Sequence, residues 1–240
     1  MQKLFIDFAP GGEIILDGEQ ARHIAKSLRM KTGDMLTVCD GDGNDYGCII
    51  KSVDRETVTL EVCYKQAGES EPDCAVTVYQ AVPKGSKLEE VIQKCVELGA
   101  VKIVPVLTAR CISRPDEKSA KKKNERYSKI ALEAAQQSGR GIVPEVSPMV
   151  TLKEALKNDE AQTKIVFYEG GGEPLKSIIA PDTKSVSIYV GPEGGFEAQE
   201  VELIKQYGAF QATLGRRILR TQTAPVAALS AIMLLTGNLE

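Results

Sequence analysis

The alternation of short β-prone runs with helical patterns over residues 74–240 is the feature that most constrains the fold. Runs such as 186–190 and 210–214 are each followed by a glycine-containing turn and then by a helical pattern. Such alternation predicts a mostly parallel sheet with helices on both faces. Ligands of open parallel sheets bind outside the carboxyl ends of the strands, where glycines permit close backbone approach. The sequence therefore predicts a ligand pocket at one edge of the sheet.

Three glycine-rich turns follow strand-like runs: 169–174, 191–196 and 214–223. Any one of them could be turn punctuation alone. The third, however, carries Arg216 and Arg217 and then Arg220, and a packed turn has no obvious use for so much charge. We therefore expect an anionic ligand nearby. The triphosphate and dinucleotide motifs, a P-loop or a Gly-x-Gly-x-x-Gly helix start, are absent from the sequence.

Residues 1–70 contain five short β-prone runs, at 3–8, 13–16, 35–39, 46–53 and 57–64, and one helical pattern over 19–28. This pattern predicts a small β-barrel. The helical pattern places its basic residues on the side opposite its apolar ones, and residues 22–33 contain no carboxylate. A solvated face and a grip on a phosphate backbone both explain such a cluster. The polar stretch 66–73 contains glycine and proline and is the predicted linker, so we place the domains at 1–70 and 74–240.

Net charge, cysteine content and apolar runs restrict the classes of function that the chain can have. The formal net charge of -3 argues against a uniform positive coat, so nucleic-acid binding would depend on local patches. The six cysteines form no Cys-x-x-Cys pair and His23 is the single histidine, so we expect no metal site. The chain shows no signal-peptide core and no apolar run of about 20 residues, so we expect a cytoplasmic protein without a membrane span.

Two helical patterns suggest partners. The pattern over 119–138 has a basic first half, for which a solubilising face is at least as good an explanation as RNA binding. The pattern over 224–236 is apolar on nearly every side. A helix of that kind must be buried all round, which predicts a homodimer that packs through it.

A set of motifs along almost the whole length resembles one family in order and spacing. The motifs are Arg22-His23, Leu28-Arg29, Lys84-Gly85-x-Lys87, Gln93-Lys94-x-x-Glu97-Leu98-Gly99, Gln136-Gln137-Ser138-x-Arg140, Gly191-Pro192-Glu193-Gly194-Gly195-Phe196, Leu214-Gly215 and Ile218-Leu219-Arg220-Thr221-x-Thr223-Ala224. Together they resemble the RsmE family, which are bacterial ribosomal RNA uridine methyltransferases of the SPOUT superfamily.

The resemblance implies a fold and an activity. The fold is α/β, with a PUA-like β-barrel for RNA binding in front of an α/β trefoil-knot (SPOUT) methyltransferase domain. The activity is transfer of a methyl group from S-adenosyl-L-methionine to ring nitrogen N3 of a specific uridine in 16S ribosomal RNA, as part of ribosome maturation. The implied partners are 16S ribosomal RNA or the small ribosomal subunit and a second copy of the chain.

The resemblance also implies site residues. Arg220 is the expected catalytic residue, because an arginine there would stabilise the imide anion of the uridine. His23 is expected either to contact RNA or to pack within the fold. The expected cofactor-binding residues are Tyr168, Glu169, Gly170, Gly191, Pro192, Glu193, Gly194, Gly195, Leu214, Gly215, Ile218, Leu219 and Thr221. The expected RNA-binding residues are Arg22, His23, Lys26, Arg29, Lys84, Arg140, Arg216 and Arg217.

One position departs from the family pattern. Gln222 stands where the family usually has glutamate. If the carboxylate of that glutamate acts as a base or contacts the cofactor, its replacement by a neutral amide would weaken proton removal or cofactor binding. Two rival functions share the same features. One is an RNA-binding or assembly factor without catalysis, and the other is an enzyme of the same fold that acts on transfer RNA or on another nucleoside position.

Overall fold

The computed structural model describes residues 3–6, 10–54 and 56–239. The chain divides into two compact units, Met1–Glu71 with Ala135–Val143, and Pro72–Ala134 with Pro144–Glu240. The change of unit after Glu71 falls inside the predicted linker. The return of Ala135–Val143 to the first unit was not predicted, and an ion pair between Arg140 and Glu71 anchors it there.

The first unit is a five-stranded sheet with strand order β1-β3-β4-β5-β2. β1 and β3 are parallel, and the other neighbours are antiparallel. Residues 7 and 8 of the predicted first strand lie outside the described residues. The strands are β1 (Lys3–Phe5), β2 (Glu13–Asp17), β3 (Met35–Cys39), β4 (Asn44–Val53) and β5 (Thr57–Ala67).

The core of this unit forms on one side of the sheet. Leu4 of β1 and Ile14 of β2 belong to the same buried cluster although their strands are the two edges. The sheet therefore bends around its core as a half-barrel. α1 (Gly18–Arg22) and a π-helical turn over His23–Ser27 add Ala21 and Ile24 to the cluster.

The second unit is built on an eight-stranded sheet, and all of its strand pairs are parallel. The order is β11-β13-β10-β12-β6-β7-β8, and β9 also pairs with β7. Three strands are only two residues long and were not predicted: β8, β9 and β11. The strands are β6 (Ala75–Ala81), β7 (Lys102–Leu107), β8 (Glu145–Val146), β9 (Val150–Thr151), β10 (Thr163–Phe167), β11 (Glu173–Pro174), β12 (Ser185–Val190) and β13 (Phe210–Thr213).

Helices cover both faces of this sheet, as predicted. On one face, Leu156 and Ile204 from two of the helices pack in one cluster with Tyr79 and Tyr189. Successive strand residues point to opposite faces, so Gln80 points to the face where α7 contacts β6 and β12. The helices are α2 (Lys87–Glu97), α3 (Glu117–Ser138), α4 (Leu152–Lys157), α5 (Leu175–Ile178), α6 (Ala198–Gln206) and α7 (Thr223–Leu235).

A buried polar network fixes β12 in place. Asp159 accepts hydrogen bonds from Ser187 Oγ at 2.6 Å and from the Tyr189 hydroxyl at 2.7 Å. The Tyr189 ring stacks on Tyr79 with 4.5 Å between centroids. Burial, followed by the charge of Asp159, raises the pKa of Tyr189 far above its usual range, so the hydroxyl remains a donor. The strand is thus held rigidly just before the loop that begins at Gly191.

None of the helices in the described part of the chain is long and apolar enough to cross a membrane. The six cysteines are all free, and Cys63 alone among them is exposed. Within the described ranges, no group of three or more His, Cys, Asp or Glu residues has the arrangement of a metal site.

Candidate functional site

A cavity of about 450 Å³ opens at the carboxyl ends of β10, β12 and β13. These three strands are direct neighbours in the order β13-β10-β12 and run parallel, so the loops that follow them meet at one edge. The cavity is lined by Phe167, Tyr168, Glu169, Val190, Gly191, Pro192, Glu193, Gly195, Phe196, Ala212, Thr213, Leu214, Gly215, Arg216, Arg217, Ile218, Leu219, Arg220, Thr221 and Ala224. The three glycine-rich strand ends identified in the sequence therefore form a single site.

The loop after β12 depends on its glycines. A Cβ on Gly191 would lie 3.0 Å from the carbonyl carbon of Gly195, tighter than almost all real Cβ contacts. Gly195 itself has φ +67, a conformation that side chains disfavour. The loop thus folds back on itself closely, and its backbone rather than its side chains forms much of the cavity wall.

Thr221 joins the loop after β13 to the loop after β12. Its hydroxyl donates to the Gly191 carbonyl at 2.8 Å and accepts from Gln80 Nε2 at 3.1 Å. Thr221 and Gln80 are both buried. A hydroxyl that donates and accepts in a buried place fixes both loops to β6, so these two walls of the cavity are held in register.

Glu193 joins the same loop to the segment that follows β6. Its carboxylate accepts from Lys87 Nζ at 2.6 Å and from the Lys84 backbone N–H at 3.1 Å. Burial raises the pKa of Glu193, but these bonds and one from its own N–H outweigh burial, so the pKa lies below its usual value. The carboxylate is therefore charged at neutral pH and holds the loop down.

Arg110 braces the loop from the other side. Its guanidinium donates to the Gly194 carbonyl at 2.6 Å, and the Ala109 N–H donates to Glu200 at 2.8 Å. Both contacts come from the segment that follows β7. The loop 191–196 is thus supported by segments from the ends of two neighbouring strands.

The charged rim of the cavity comes from the loop after β13. Arg216, Arg217 and Arg220 line the cavity and are all exposed. Ile218, between them, is 83% exposed. An exposed, apolar and cationic rim above a wall of backbone groups is suited to a ligand with a flat ring and a negative charge.

The structure brings the predicted site residues together with few exceptions. Each residue expected to bind a cofactor lines the cavity, except Gly170 and Gly194. Sequence reasoning missed Gln80, Lys87 and Arg110, which hold the loops from outside. It also missed further lining residues, most of which come directly before or after the predicted loops: Phe167, Val190, Phe196, Ala212, Thr213 and Ala224.

The basic residues predicted to contact RNA fall into separate groups. In the first unit Arg22, Lys26 and Arg29 are exposed and His23 is half-buried. Arg29 is the one described non-glycine residue with positive φ, at 55°. In the second unit, Lys84 is exposed beside the site, where its N–H binds Glu193.

Arg140 has a different place from the one expected. Its side chain is only 4% exposed and forms an ion pair with Glu71. The same carboxylate accepts the N–H groups of Gly141 and Ile142. The guanidinium is thus occupied inside the first unit, and a buried, paired arginine holds chain segments together rather than presenting charge to a nucleic acid.

Gln222 sits just before α7 and outside the cavity lining. Its Oε1 atom is buried and has no hydrogen-bond partner among the described residues. The cavity contains other polar side chains, but this one does not face it.

The fold and site define a class of protein. Residues 70–233 match the family model of an RNA methyltransferase domain, and residues 16–63 match that of an RNA methyltransferase PUA domain. A Bacillus subtilis protein named ribosomal RNA small subunit methyltransferase E is 37% identical, over 97% of this chain and 96% of its own. The chain belongs to the ribosomal RNA small subunit methyltransferase E family, which confirms the resemblance that its motifs indicated.

Solved structures agree with this assignment. A ribosomal RNA small subunit methyltransferase E from Neisseria gonorrhoeae bound to S-adenosyl methionine superimposes with a TM-score of 0.90 at 30% identity and covers 98% of each chain. A methyltransferase from Legionella pneumophila in complex with the cofactor has a TM-score of 0.87 at 29% identity, over 97% of this chain and 96% of that one. The predicted fold class, a PUA-like domain with a SPOUT methyltransferase domain, is confirmed.

Proposed function

We propose that this protein transfers a methyl group from S-adenosyl-L-methionine to ring nitrogen N3 of one uridine in 16S ribosomal RNA. The observation that supports the proposal most directly is the single cavity formed by the three loops that carry the family motifs. The role of the protein in the cell would be modification of small-subunit ribosomal RNA during ribosome maturation, in the cytoplasm.

The cavity fits the cofactor in size and chemistry. A volume of about 450 Å³ lies within the range of small-molecule sites. The glycine-rich walls offer backbone donors and acceptors for adenine and the amino-acid end, while Glu169 offers a carboxylate for a cationic ligand. We assign cofactor binding to the lining residues of the loops 168–169, 191–195 and 214–221.

The reaction requires a poor nucleophile, N3 of uridine, to attack the methyl group. S-adenosyl-L-methionine supplies an activated methyl group, but N3 of uridine is protonated at neutral pH and attacks weakly in that form. Arg220 lies on the rim where a base would enter, and its guanidinium would stabilise the imide anion that forms as the proton leaves. Arg216 and Arg217 would hold neighbouring phosphates and so align N3 with the methyl group.

RNA contacts on the first unit complete the assignment. We assign residues 1–70 to RNA binding and 74–240 to methyl transfer. Arg22 and Lys26 are exposed on one short helical segment, and Arg29 is exposed just beyond its end; all three would contact phosphates, while His23 is half-buried on the same segment. These contacts would add affinity that depends on salt concentration.

A homodimer through α7 belongs to the same proposal. The buried side of α7 comprises Pro225, Ala228, Leu229, Ile232 and Met233. Its opposite side carries Val226, Ala227 and Ala231, which are half-buried, and Leu234, which is 58% exposed. A second apolar side on one helix supports burial against another copy of the chain.

Methyl transfer to small ribosomal subunits that lack the modification tests the proposal directly. We expect a labelled methyl group from S-adenosyl-L-methionine to appear in the RNA as 3-methyluridine, identified by nucleoside mass spectrometry. A different methylated nucleoside would reassign the target. Cofactor binding without transfer would point to another RNA, and absence of both would favour an RNA-binding factor without catalysis.

A further inference from the structure

Gln80 is a polar residue in an apolar part of the parallel sheet. It is fully buried on β6, and so are Val76 and Val78, which precede it on the same face of the strand. Its register partners in the adjacent strands are Val190 of β12 and Pro105 of β7, and both are buried. An apolar side chain would continue this pattern, so the amide at position 80 requires an explanation.

The acceptors around Nε2 set the orientation of the amide. This nitrogen donates to the Ala81 carbonyl at 2.9 Å, to Thr221 Oγ1 at 3.1 Å and, at a longer distance of 3.4 Å, to the Gly191 carbonyl. Exchanging the nitrogen and the oxygen would place Oε1 against two carbonyl oxygens, neither of which can donate a hydrogen bond. Oε1 is therefore on the other side of the amide, where it is buried and has no donor among the described residues.

Stability of the core does not explain this amide. A buried acceptor without a donor loses its hydration and gains no hydrogen bond in return, which lowers stability. What the amide provides is contact with two distant segments, since Nε2 reaches Gly191 across 111 residues and Thr221 across 141 residues of the sequence. These two residues belong to the loops after β12 and β13, which form two walls of the cavity. The contacts of the amide thus lead to the site.

The side chain of Gln80 reaches the site through one carbonyl and one hydroxyl. The Gly191 carbonyl accepts from the Thr221 hydroxyl at 2.8 Å as well as from Gln80, so the peptide that joins Gly191 to Pro192 has a fixed orientation. Gly191, Pro192 and Thr221 line the cavity, whereas Gln80 is not among the lining residues. Any effect of Gln80 on a bound ligand must therefore pass through these partners.

We propose that Gln80 is a positioning residue for S-adenosyl-L-methionine, which acts through Thr221 to hold the loops after β12 and β13 at the separation that the cofactor requires. The inference rests on the proposed function, because it takes this cofactor as the ligand. A ligand that is bound largely by the backbone of two loops is sensitive to the distance between them. The loss of core stability at position 80 is offset when the cofactor binds loops that are already in place.

The experiment separates positioning from stability with two full-length variants of β6. Q80M retains an unbranched side chain of similar size without the amide, and V78A opens a cavity on the same face of the same strand. Cofactor affinity is measured by calorimetry with S-adenosyl-L-methionine alone, and stability by thermal unfolding. We expect Q80M to bind the cofactor about tenfold more weakly with little loss of stability, as for the loss of one positioning hydrogen bond. V78A should lose stability and retain cofactor affinity within about twofold.

A second variant tests whether Gln80 acts through Thr221. T221V removes the hydroxyl that joins Gln80 to Gly191 while it keeps the shape of the side chain. T221V should weaken cofactor binding by itself, and adding Q80M to it should weaken binding by less than about twofold more, because the connection is already broken. Should Q80M fail to fold, T221V alone decides, since unchanged cofactor affinity in T221V would overturn the proposal.

Three other results would also overturn it: unchanged cofactor affinity in Q80M, equal weakening in Q80M and V78A, and fully additive effects of Q80M and T221V. Failure of the proposed function gives a different result. If the unsubstituted protein bound S-adenosyl-L-methionine with the expected dependence on Gln80 but methylated another nucleoside or no RNA, the proposed target would be wrong and the role of Gln80 would stand.

Discussion

Arg220 is the residue for which substitution separates chemistry from binding. The R220A variant should lower kcat by about tenfold or more. Loss of one donor to an anionic transition state lowers kcat by about 100-fold to 1000-fold in a sheltered site, and an exposed guanidinium contributes less than that. Arg220 is exposed on the rim and contributes no hydrogen bond to the loops through its side chain among the described contacts. Cofactor affinity, measured by calorimetry, should therefore change little.

The control for that variant is R216A. Arg216 is also exposed on the rim, and we expect its replacement to weaken RNA binding while kcat at saturating RNA is retained. If R220A kept full turnover, another residue of the rim would have to be the one that stabilises the imide anion.

Gln222 allows a second prediction at this scale. Its side chain does not line the cavity, and its Oε1 atom has no described partner. The Q222E variant should thus turn over RNA within about twofold of the unsubstituted protein, a difference of less than about 0.5 kcal/mol. Single-turnover methyl transfer measures it. A rate increase of tenfold or more would show that a carboxylate at this position takes part in the reaction.

Arg29 combines strain with a proposed function. At φ 55° it has a left-handed backbone, which costs a non-glycine residue about 1–2 kcal/mol. The R29G variant should raise the free energy of unfolding by about 1 kcal/mol, as measured by urea titration, and weaken RNA binding. R22A, at an exposed position without that strain, should weaken binding with no such gain in stability. Unchanged RNA affinity in both variants would remove this segment from the RNA-binding surface.

At the scale of elements, the loop 191–196 depends on Glu193. The E193Q variant loses the charge that binds Lys87 and should weaken cofactor affinity and lower stability by about 1 kcal/mol. E202Q is the matched control, since Glu202 is an exposed partner of Lys205 on α6 and does not line the cavity. Calorimetry and thermal unfolding measure the two effects.

The difference in stability between the unsubstituted protein and E193Q should decrease as the pH falls. The folded-state pKa of Glu193 lies below its usual value near 4.5, so its stabilising effect is fully present above about pH 5. It is lost as the pH falls through the folded-state pKa, where the carboxylate becomes protonated. The stability gap between the unsubstituted protein and E193Q should therefore close in acid. A gap that stayed constant down to about pH 3 would contradict the ion-pair explanation.

Much of this architecture follows from periodicity in the sequence. The predicted strand 35–39 coincides with β3, because apolar and β-branched residues there form an uninterrupted run. The two-residue strands such as β11 carry no such pattern. The three cavity loops were predictable because glycines and arginines mark them at strand ends.

The contacts that support those loops were not predictable. Gln80 reaches Thr221 across 141 residues, and nothing in the local pattern of β6 indicates that partner. For Arg140, the sequence suggested a partner that the structure does not show. Its motif suggested RNA, but its charge is matched by Glu71, which lies 69 residues earlier. Long-range pairs between single polar residues leave no periodic signal in one sequence.

At the scale of the whole molecule, α7 determines the expected assembly. The L234E variant should shift the protein from dimer to monomer, because a carboxylate in an apolar contact between two copies would be buried without a partner. I15E, at a 63% exposed position of the first unit, is the matched control and should remain dimeric. Size-exclusion chromatography with light scattering distinguishes them. A monomeric unsubstituted protein at micromolar concentration would contradict the proposed dimer.

The bond between Thr221 and Gly191 has a consequence for the order of events during synthesis. A chain emerges from the ribosome with its amino-terminal end first, and early segments can begin to fold before later ones exist. The cavity, however, takes its third wall from residues 212–221, and Thr221 is what ties that wall to the second. A nascent chain can complete its first sheet and much of its parallel sheet while it still lacks a complete place for the cofactor. The cofactor site is thus completed only once Thr221 has been added to the growing chain, later than its first two walls.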